Sequence, residues 1–503
     1  MLIVCITSFF LITAESVFTV HDDILTYMQV EQGNLLQTAV DDAKHGRIGH
    51  IPLTFLLYIP YFFSSTAAVR ICAALSIVFD MTALYCLVKN NVNKEAAFLT
   101  SLLFISFACI SNQHNLFVSY IIGHQIPSGL VLFSLNEFTK YYNKKKKNIY
   151  LIRSAVLLFI ASFLYEACAA YIILFLLIAM YKNKGNIFRN SADVLIDTHY
   201  HTLFLLAFVL IYVLWRRAYP SDYDGAQLYF GNIPQSIKAL FKYSFGMTPG
   251  LPAAAMLIKK YITPQELKES LSLLMLIPPA LTAVCFFIVF PKIKQIKNKA
   301  PLIFLCAAGI ITPNLIISFT PKYAEWAGSN SYSYVTSFYS YFFLIPFFLL
   351  VLKSVFKTDS KAVMALLSTL VFAVSLTCTL NNAAWNVYFR KNLSRYEAFS
   401  EAVKSSYFDT LEDGTTVFIP DYTGIHNDMS ITKSFAAVYT DSDITFSNNS
   451  DEIDFASPVV FLKYYPETNT MTAGTLNSDF TSSDAFYIYG NNNKPIDSII
   501  SVK

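Results

Sequence analysis

The chain reads as an all-α polytopic membrane protein with a small α+β domain at its carboxyl end. Three observations lead there. Hydrophobic residues make up 54% of the 503 residues and charged residues only 14%, where a soluble domain carries about 25% charged residues. Mean hydropathy is +0.45. The charge is also split along the chain. Residues 385–503 hold eight basic and sixteen acidic side chains, a net of −8, while residues 1–384 carry +11. The division at 384/385 therefore separates a basic membrane body from an acidic extracytoplasmic domain. The overall net charge of +3 is too small for a nucleic-acid binder that works by neutralising phosphates. Low charge with abundant aromatics excludes disorder.

A membrane helix needs about 20 mostly apolar residues. About eleven runs approach that requirement: 2–19, 67–88, 95–112, 117–138, 149–165, 167–181, 200–217, 270–291, 300–319, 334–353 and 362–381. The first lacks a basic leader and a small-residue cleavage site before His21-Asp22-Asp23, so it reads as an uncleaved span. Lysines follow the even-numbered runs, as in the Lys144–Lys147 cluster. Basic short loops stay cytoplasmic, which puts the amino terminus inside. An odd number of spans then puts the carboxyl-terminal domain outside.

Three pieces fall on the external face: 20–66, 216–269 and 385–503. Within the first, Ile51–Phe63 is apolar but contains Pro52 and Pro60. It is too short to span and suits a helix lying in the headgroup layer. In the second, Pro220, Pro234, Pro249, Pro252 and Pro264 mark breaks and turns. The third opens with a helical period over Arg390–Ser405, then offers strand-like runs at Thr416–Ile419, Pro458–Lys463 and Ala485–Tyr489. The eight cysteines, from Cys5 to Cys378, all lie in apolar runs without ligand spacing. They read as packing residues rather than a zinc site or a disulfide framework.

The adjacent carboxylates Asp22 and Asp23 follow the first run directly, and the same loop carries Asp41-Asp42, His45, Gly46 and Arg47. Acids able to take a proton from a hydroxyl thus share a loop with a cation able to hold phosphate, just ahead of the interfacial helix. The order of first span, Asp-Asp, Gly-Arg, interfacial helix and Ala67-Ala68-Val69-Arg70 resembles the GT-C class of membrane glycosyltransferases. It is most similar to the Gtr-type glucosyltransferases of bacterial surface polysaccharides. A second match is Thr320-Pro321-Lys322-Tyr323, followed by the aromatic run Tyr332–Phe343. The likeness covers roughly 1–380, and the acidic tail has no counterpart in it.

The resemblance implies a GT-C-like bundle and an inverting transfer from a polyprenyl-phosphate sugar to a glycan or lipid-linked acceptor. In that scheme Asp22 or Asp23 is the general base, and Arg47 and Lys322 bind the donor phosphate, with Tyr323 beside them. The long gap between Asp23 and Gly46-Arg47 leaves Asp41-Asp42 as the alternative acidic pair. If a divalent cation takes part, Asp22 and Asp23 offer oxygen ligands. Glu166, at a turn between two runs, either faces the cavity or caps the turn. Asp80 lies within an apolar run, where an acid marks a site or bonds to a neighbouring helix. His114 and His124 are isolated, Arg216-Arg217 binds phosphate or snorkels to headgroups, and Trp326 and Tyr332 are candidates to stack on a sugar. The rival readings are a transporter or flippase, which predicts paired repeats, and a polysaccharide polymerase, which predicts an arginine-rich external loop. Neither feature is present.

Overall fold

The structure, a computed structural model, describes residues 6, 8, 12, 21–63, 65–110, 115–144, 146–183, 191–221, 223–259, 263–293, 299–328, 333–356, 360–405, 407–420, 429–440, 443–490, 494–496 and 498–502. Apart from residues 6, 8 and 12, the first apolar run lies outside the described residues, as do Cys5, His114 and Tyr332.

In chain order the helices are α1 (His21–Glu31), α2 (Leu35–Lys44), α3 (His50–Tyr58), α4 (Thr66–Asn91), α5 (Lys94–Ser106), α6 (Gln125–Asn143), α7 (Asn148–Leu164), α8 (Ile172–Lys182), α9 (Ser191–Ala218), α10 (Ile233–Phe245), α11 (Leu251–Lys259), α12 (Pro264–Ser270), α13 (Ile277–Val289), α14 (Lys299–Ile311), α15 (Leu315–Ser318), α16 (Pro321–Gly328), α17 (Val335–Val355), α18 (Lys361–Lys404) and α19 (Met429–Ala436). The chain separates into two compact units: residues 1–16 with 35–386, and residues 17–34 with 387–503. Residues 17–34, and α1 with them, thus belong to the second unit. The boundary near residue 386 falls inside α18, so the stretch 390–405 is the end of that long helix and not a separate one.

Among the described residues, six helices are long and apolar enough to cross a membrane: 66–91, 191–218, 273–292, 300–318, 335–355 and 361–404. The protein is therefore membrane-embedded, and six of the eleven expected runs are full-length spans among the described residues. The run 149–165 forms α7 with 17 residues, as expected, while 95–112 and 167–181 hold the shorter α5, with 13 residues, and α8, with 11. The expected span 117–138 is broken. Residues 117–124 form turns, Tyr120 and Ile122 have φ of 51° and 69°, and helix begins only at Gln125, with Pro127 in its first turn. Irregular backbone is tolerated at membrane depth only where protein covers it and satisfies its polar groups. Here Asn115 Nδ2 donates to the Cys109 carbonyl, its Oδ1 accepts from Phe117 N, and Asn381 and Asn382 clamp the Ala108 and Ile110 backbone at 2.8–2.9 Å. Residues from Ala96 to Ser106 on α5 are almost all buried. α5 thus sits inside the bundle, which its apolar composition alone could not distinguish from a lipid-facing span.

The helix α7 runs from the lysine-rich turn at 144–147 to Glu166, a rise of about 25 Å, and so defines the two ends of the first unit. At the lysine end, Asp197 of α9 is 2% exposed. It accepts from Tyr141 OH at 2.7 Å, Tyr142 OH at 2.9 Å, Asn183 Nδ2 at 2.9 Å and Lys146 Nζ at 3.0 Å. A buried carboxylate is stable only when paired and fully bonded, and four donors achieve that here. Asp80 of α4 is wholly buried and accepts from Ser128 Oγ at 3.1 and 3.2 Å. It serves as a bond between α4 and α6.

The second unit is built on the five-stranded sheet β2-β1-β3-β4-β6, from β1 (Thr416–Phe418), β2 (Thr445–Ser447), β3 (Val459–Tyr465), β4 (Thr470–Thr475) and β6 (Phe486–Tyr489). A two-stranded pair, β5 (Thr481–Ser482) with β7 (Ile500–Ser501), completes it. β1 runs parallel to β2 and β3, while β3, β4 and β6 are antiparallel. Phe418, Val459, Phe461, Leu476 and Phe480 form its core. The helical end of α18 and α19 meet in an aromatic cluster of Phe399, Phe435 and Phe446. This is a small carboxyl-terminal sheet with helices, as the sequence predicts, with β2, β4, β5 and β7 added.

Candidate functional site

The Gly46-Arg47 corner is set by backbone geometry. Gly46 ends α2 with φ of +87°, and the Gly46 and Arg47 amides both return to the Ala43 carbonyl at 3.1 and 3.0 Å. A left-handed glycine after a helix satisfies its last carbonyls and turns the chain. Three residues on, Gly49 approaches the end of α7 so closely that a Cβ there would lie 1.9 Å from the Phe163 carbonyl oxygen. Gly49→Ala should therefore force the α3 and α7 backbones apart and destabilise the protein by about 1–3 kcal/mol. A thermal unfolding series in detergent reads this directly, and an unchanged midpoint would show that the corner yields freely.

That close approach delivers Arg47 to Glu166. Its Nε and Nη2 donate to the two carboxylate oxygens, each at 3.0 Å, a bidentate pair between residues 119 positions apart. Tyr212 OH lies 3.4 Å from the same carboxylate. Burial alone would raise the Glu166 carboxyl, but the Arg47 guanidinium outweighs it and holds the group at about 2. Glu166 is thus ionised near neutral pH, poorly suited to take a proton, and suited to fix a guanidinium. The expectation that it faces a cavity or caps a turn resolves into this third role. His50, one helical turn after Arg47, has a buried Nε2 with no hydrogen-bond partner. Burial, then the Arg47 charge, lower its imidazole to about 3, so it is neutral. Sequence reasoning passed over His50 and Tyr212. The i+3 spacing of His50 from Arg47 was the available signal, and nothing pointed to Tyr212.

Lys322 and Tyr323 open α16, where an aromatic cluster holds them. Lys322 Nζ donates to Tyr223 OH at 2.9 Å and lies 4.4 Å from the Tyr223 ring centre and 4.8 Å from that of Trp326. Tyr323 OH accepts from Tyr334 OH at 2.7 Å and bonds to Tyr223 OH at 2.9 Å. Tyr243 OH donates to the Tyr323 carbonyl at 2.7 Å. Cation–π contact of this kind holds an ammonium without neutralising it. α15, which leads into Thr320-Pro321-Lys322-Tyr323, packs on the Glu166–Tyr171 turn, so the Arg47–Glu166 pair and the Lys322–Tyr323 cluster lie on the same side of the first unit, away from the lysine-rich turn. Trp326 belongs to this cluster through its contact with Lys322.

The other candidates are placed as follows. Asp22 and Asp23 occupy the first turn of α1 in the second unit, with Asp23 buried and the Asp22 carbonyl accepting from Thr26 Oγ1. Carboxylates favour a helix amino terminus, which gives them a structural reason to be there. Of the alternative pair, Asp41 is bonded to Lys44 and Gln37, whose hydrogen bonds lower its carboxyl. Asp42 is half-buried, raised by that burial, and accepts from Thr54 Oγ1 at 3.4 Å. His124 packs edge-on to Tyr165 at 4.8 Å. Arg216 lies against Gly46 and over the Tyr212 ring. Among the described residues no three His, Cys, Asp or Glu side chains are grouped to hold a metal ion.

No protein-family model matches the chain, and no curated protein does. Among solved structures, ArnT from Cupriavidus metallidurans in the apo state aligns over 82% of each chain at 12% identity, with a TM-score of 0.34. The Archaeoglobus fulgidus oligosaccharyltransferase in the apo form aligns over 87% of this chain and 64% of its own, at 13% identity and a TM-score of 0.36.

Proposed function

We propose that the chain is a membrane glycosyltransferase of the GT-C type. It would take a sugar from a polyprenyl-phosphate donor and pass it, with inversion, to a surface glycan or lipid-linked acceptor on the external face. The observation that supports this reading is Arg47 held in a bidentate grip by Glu166, with the Lys322–Tyr323 cluster following a helix that packs on the same Glu166–Tyr171 turn of a membrane-embedded bundle. Those are the cations that the motif order marked for the donor phosphate.

In the proposed reaction the acceptor oxygen attacks the anomeric carbon and gives its proton to a carboxylate base, the role the motif order gives to Asp22 or Asp23. The bond from that carbon to the phosphate oxygen breaks, and the leaving polyprenyl phosphate keeps the electron pair. A hydroxyl is a weak nucleophile, so a positioned carboxylate raises its reactivity by about 10²–10⁴-fold. Charge growing on the leaving phosphate is stabilised by fixed cations. Arg47 retains its Nη1 edge for that purpose, since Glu166 engages Nε and Nη2. Glu166 acts through Arg47 as a positioning residue. The reading routes no step through a metal.

Arg47→Ala should lower transfer about 10²-fold, with the loss expressed more in donor than in acceptor dependence. Arg47→Lys should recover only part, because an ammonium cannot reproduce the two-pronged geometry. Transfer assays with a polyprenyl-phosphate sugar in proteoliposomes test this. Equal activity of Arg47→Ala and the parent would remove Arg47 from the donor site.

A further inference from the structure

The helix α10 carries an apolar strip that its own fold leaves uncovered. Its inner face is closed. Ser236, Ala239 and Tyr243 are buried, Gln235 Nε2 donates to the Ala324 carbonyl at 3.1 Å, and Lys242 Nζ donates to the Ala327 carbonyl at 2.7 Å. On the other side Ile233, Ile237, Phe241 and Phe245 follow one another every four residues and are 39–53% exposed. Residues at that spacing share one face of a helix. The preceding Leu228, Tyr229 and Phe230 extend the patch, each more than half exposed. Phe230 stacks against Phe319 at 5.4 Å. Lys238, also exposed, borders the strip.

The position of α10 says what covers it. The helix packs on α14 and α15, which together form the spanning helix 300–318, and on the spanning helix α17. Asn314, which follows α14, donates to Ser244 Oγ at 3.2 Å. An apolar strip fastened beside the ends of spanning helices, aromatic at its entry and lysine-edged, has the make-up of a helix lying in the bilayer surface.

We infer that α10 lies in the headgroup layer of the membrane with Ile233, Ile237, Phe241 and Phe245 in the acyl boundary, and that this seat sets the depth of the Lys322–Tyr323 cluster. The link is direct, through the Tyr243, Gln235 and Lys242 bonds to the α16 backbone. The partner is a lipid surface. The inference rests on the chain being membrane-embedded and goes beyond sugar transfer.

The test is a Phe241→Trp variant of the full chain in liposomes, an aromatic exchange at an exposed position that the fold tolerates. Its emission is compared with that of the parent, whose three tryptophans are subtracted. The added signal should fall about twofold in phosphatidylcholine brominated near the headgroup and should resist aqueous iodide. Quenching by iodide would show a water-facing strip and overturn the inference. Protection from both quenchers would show a protein covering and overturn it equally. No sugar donor or acceptor enters the measurement, so failure of the transferase reading leaves its outcome intact.

Discussion

The purified Asp22→Asn, Asp23→Asn double variant should insert and unfold like the parent and transfer sugar about 10²–10⁴-fold more slowly. Asparagine keeps the size and hydrogen-bonding reach of each side chain and still suits the first turn of α1. Part of what it loses in structure is the favourable charge at a helix amino terminus, about 0.3–1 kcal/mol per carboxylate. A fall in rate of that size with only a small drop in the unfolding midpoint isolates proton transfer. Undiminished transfer would remove both acids from catalysis and turn attention to the other pair. There Asp42 is the stronger candidate, because burial raises its carboxyl, whereas Asp41 is exposed and committed to Lys44 and Gln37.

Glu166→Ala should be among the most destabilising single changes in the first unit. It leaves the Arg47 guanidinium, with only about a fifth of its side chain exposed, without its counter-ion, a loss on the order of 3 kcal/mol. Glu166→Gln should cost less and should change the acid response. The folded-state value of Glu166 lies near 2, below the 4.5 of a free side chain. The pair's contribution is therefore complete above about 4.5 and is lost as pH falls toward 2. Unfolding midpoints measured across that window should drop more steeply for the parent than for Glu166→Gln. Parallel curves would mean that the ion pair adds nothing to stability.

Much of the membrane character was legible because burial in lipid demands apolar residues whatever the contacts. The interfacial stretch 51–63 became α3 with a short turn of helix after it, since its prolines and length left few alternatives. Three of the strands in the second unit were visible as apolar runs between turn residues. The illegible parts depend on partners distant in sequence. Nothing near Glu166 announces Arg47, and nothing near residue 117 announces that Asn115 and Asn382 will supply the bonds that let a span break into turns. The helix α10 was hidden by a misread proline. Pro234 was taken as a break, yet it stands in a first turn, after an Asn232 whose side chain accepts from the Gln235 amide.

The knot around Asp197 bears on how the protein is made. Tyr141 and Tyr142 end α6, Lys146 lies in the turn before α7, Asn183 follows α8, and Asp197 arrives only with α9. During synthesis these groups emerge before the carboxylate that joins them, so this corner is completed only when a fourth helix has left the ribosome. On the topology its lysines predict, Lys146 has two successive duties, first in keeping its loop on the near side of the insertion machinery, and later as a fastener. Neighbouring lysines in the run can serve the first duty in its place. Losing Lys146 alone would let the chain thread in the right sense and still leave the assembly of four consecutive helices unlatched, a defect of maturation that an orientation assay would not register.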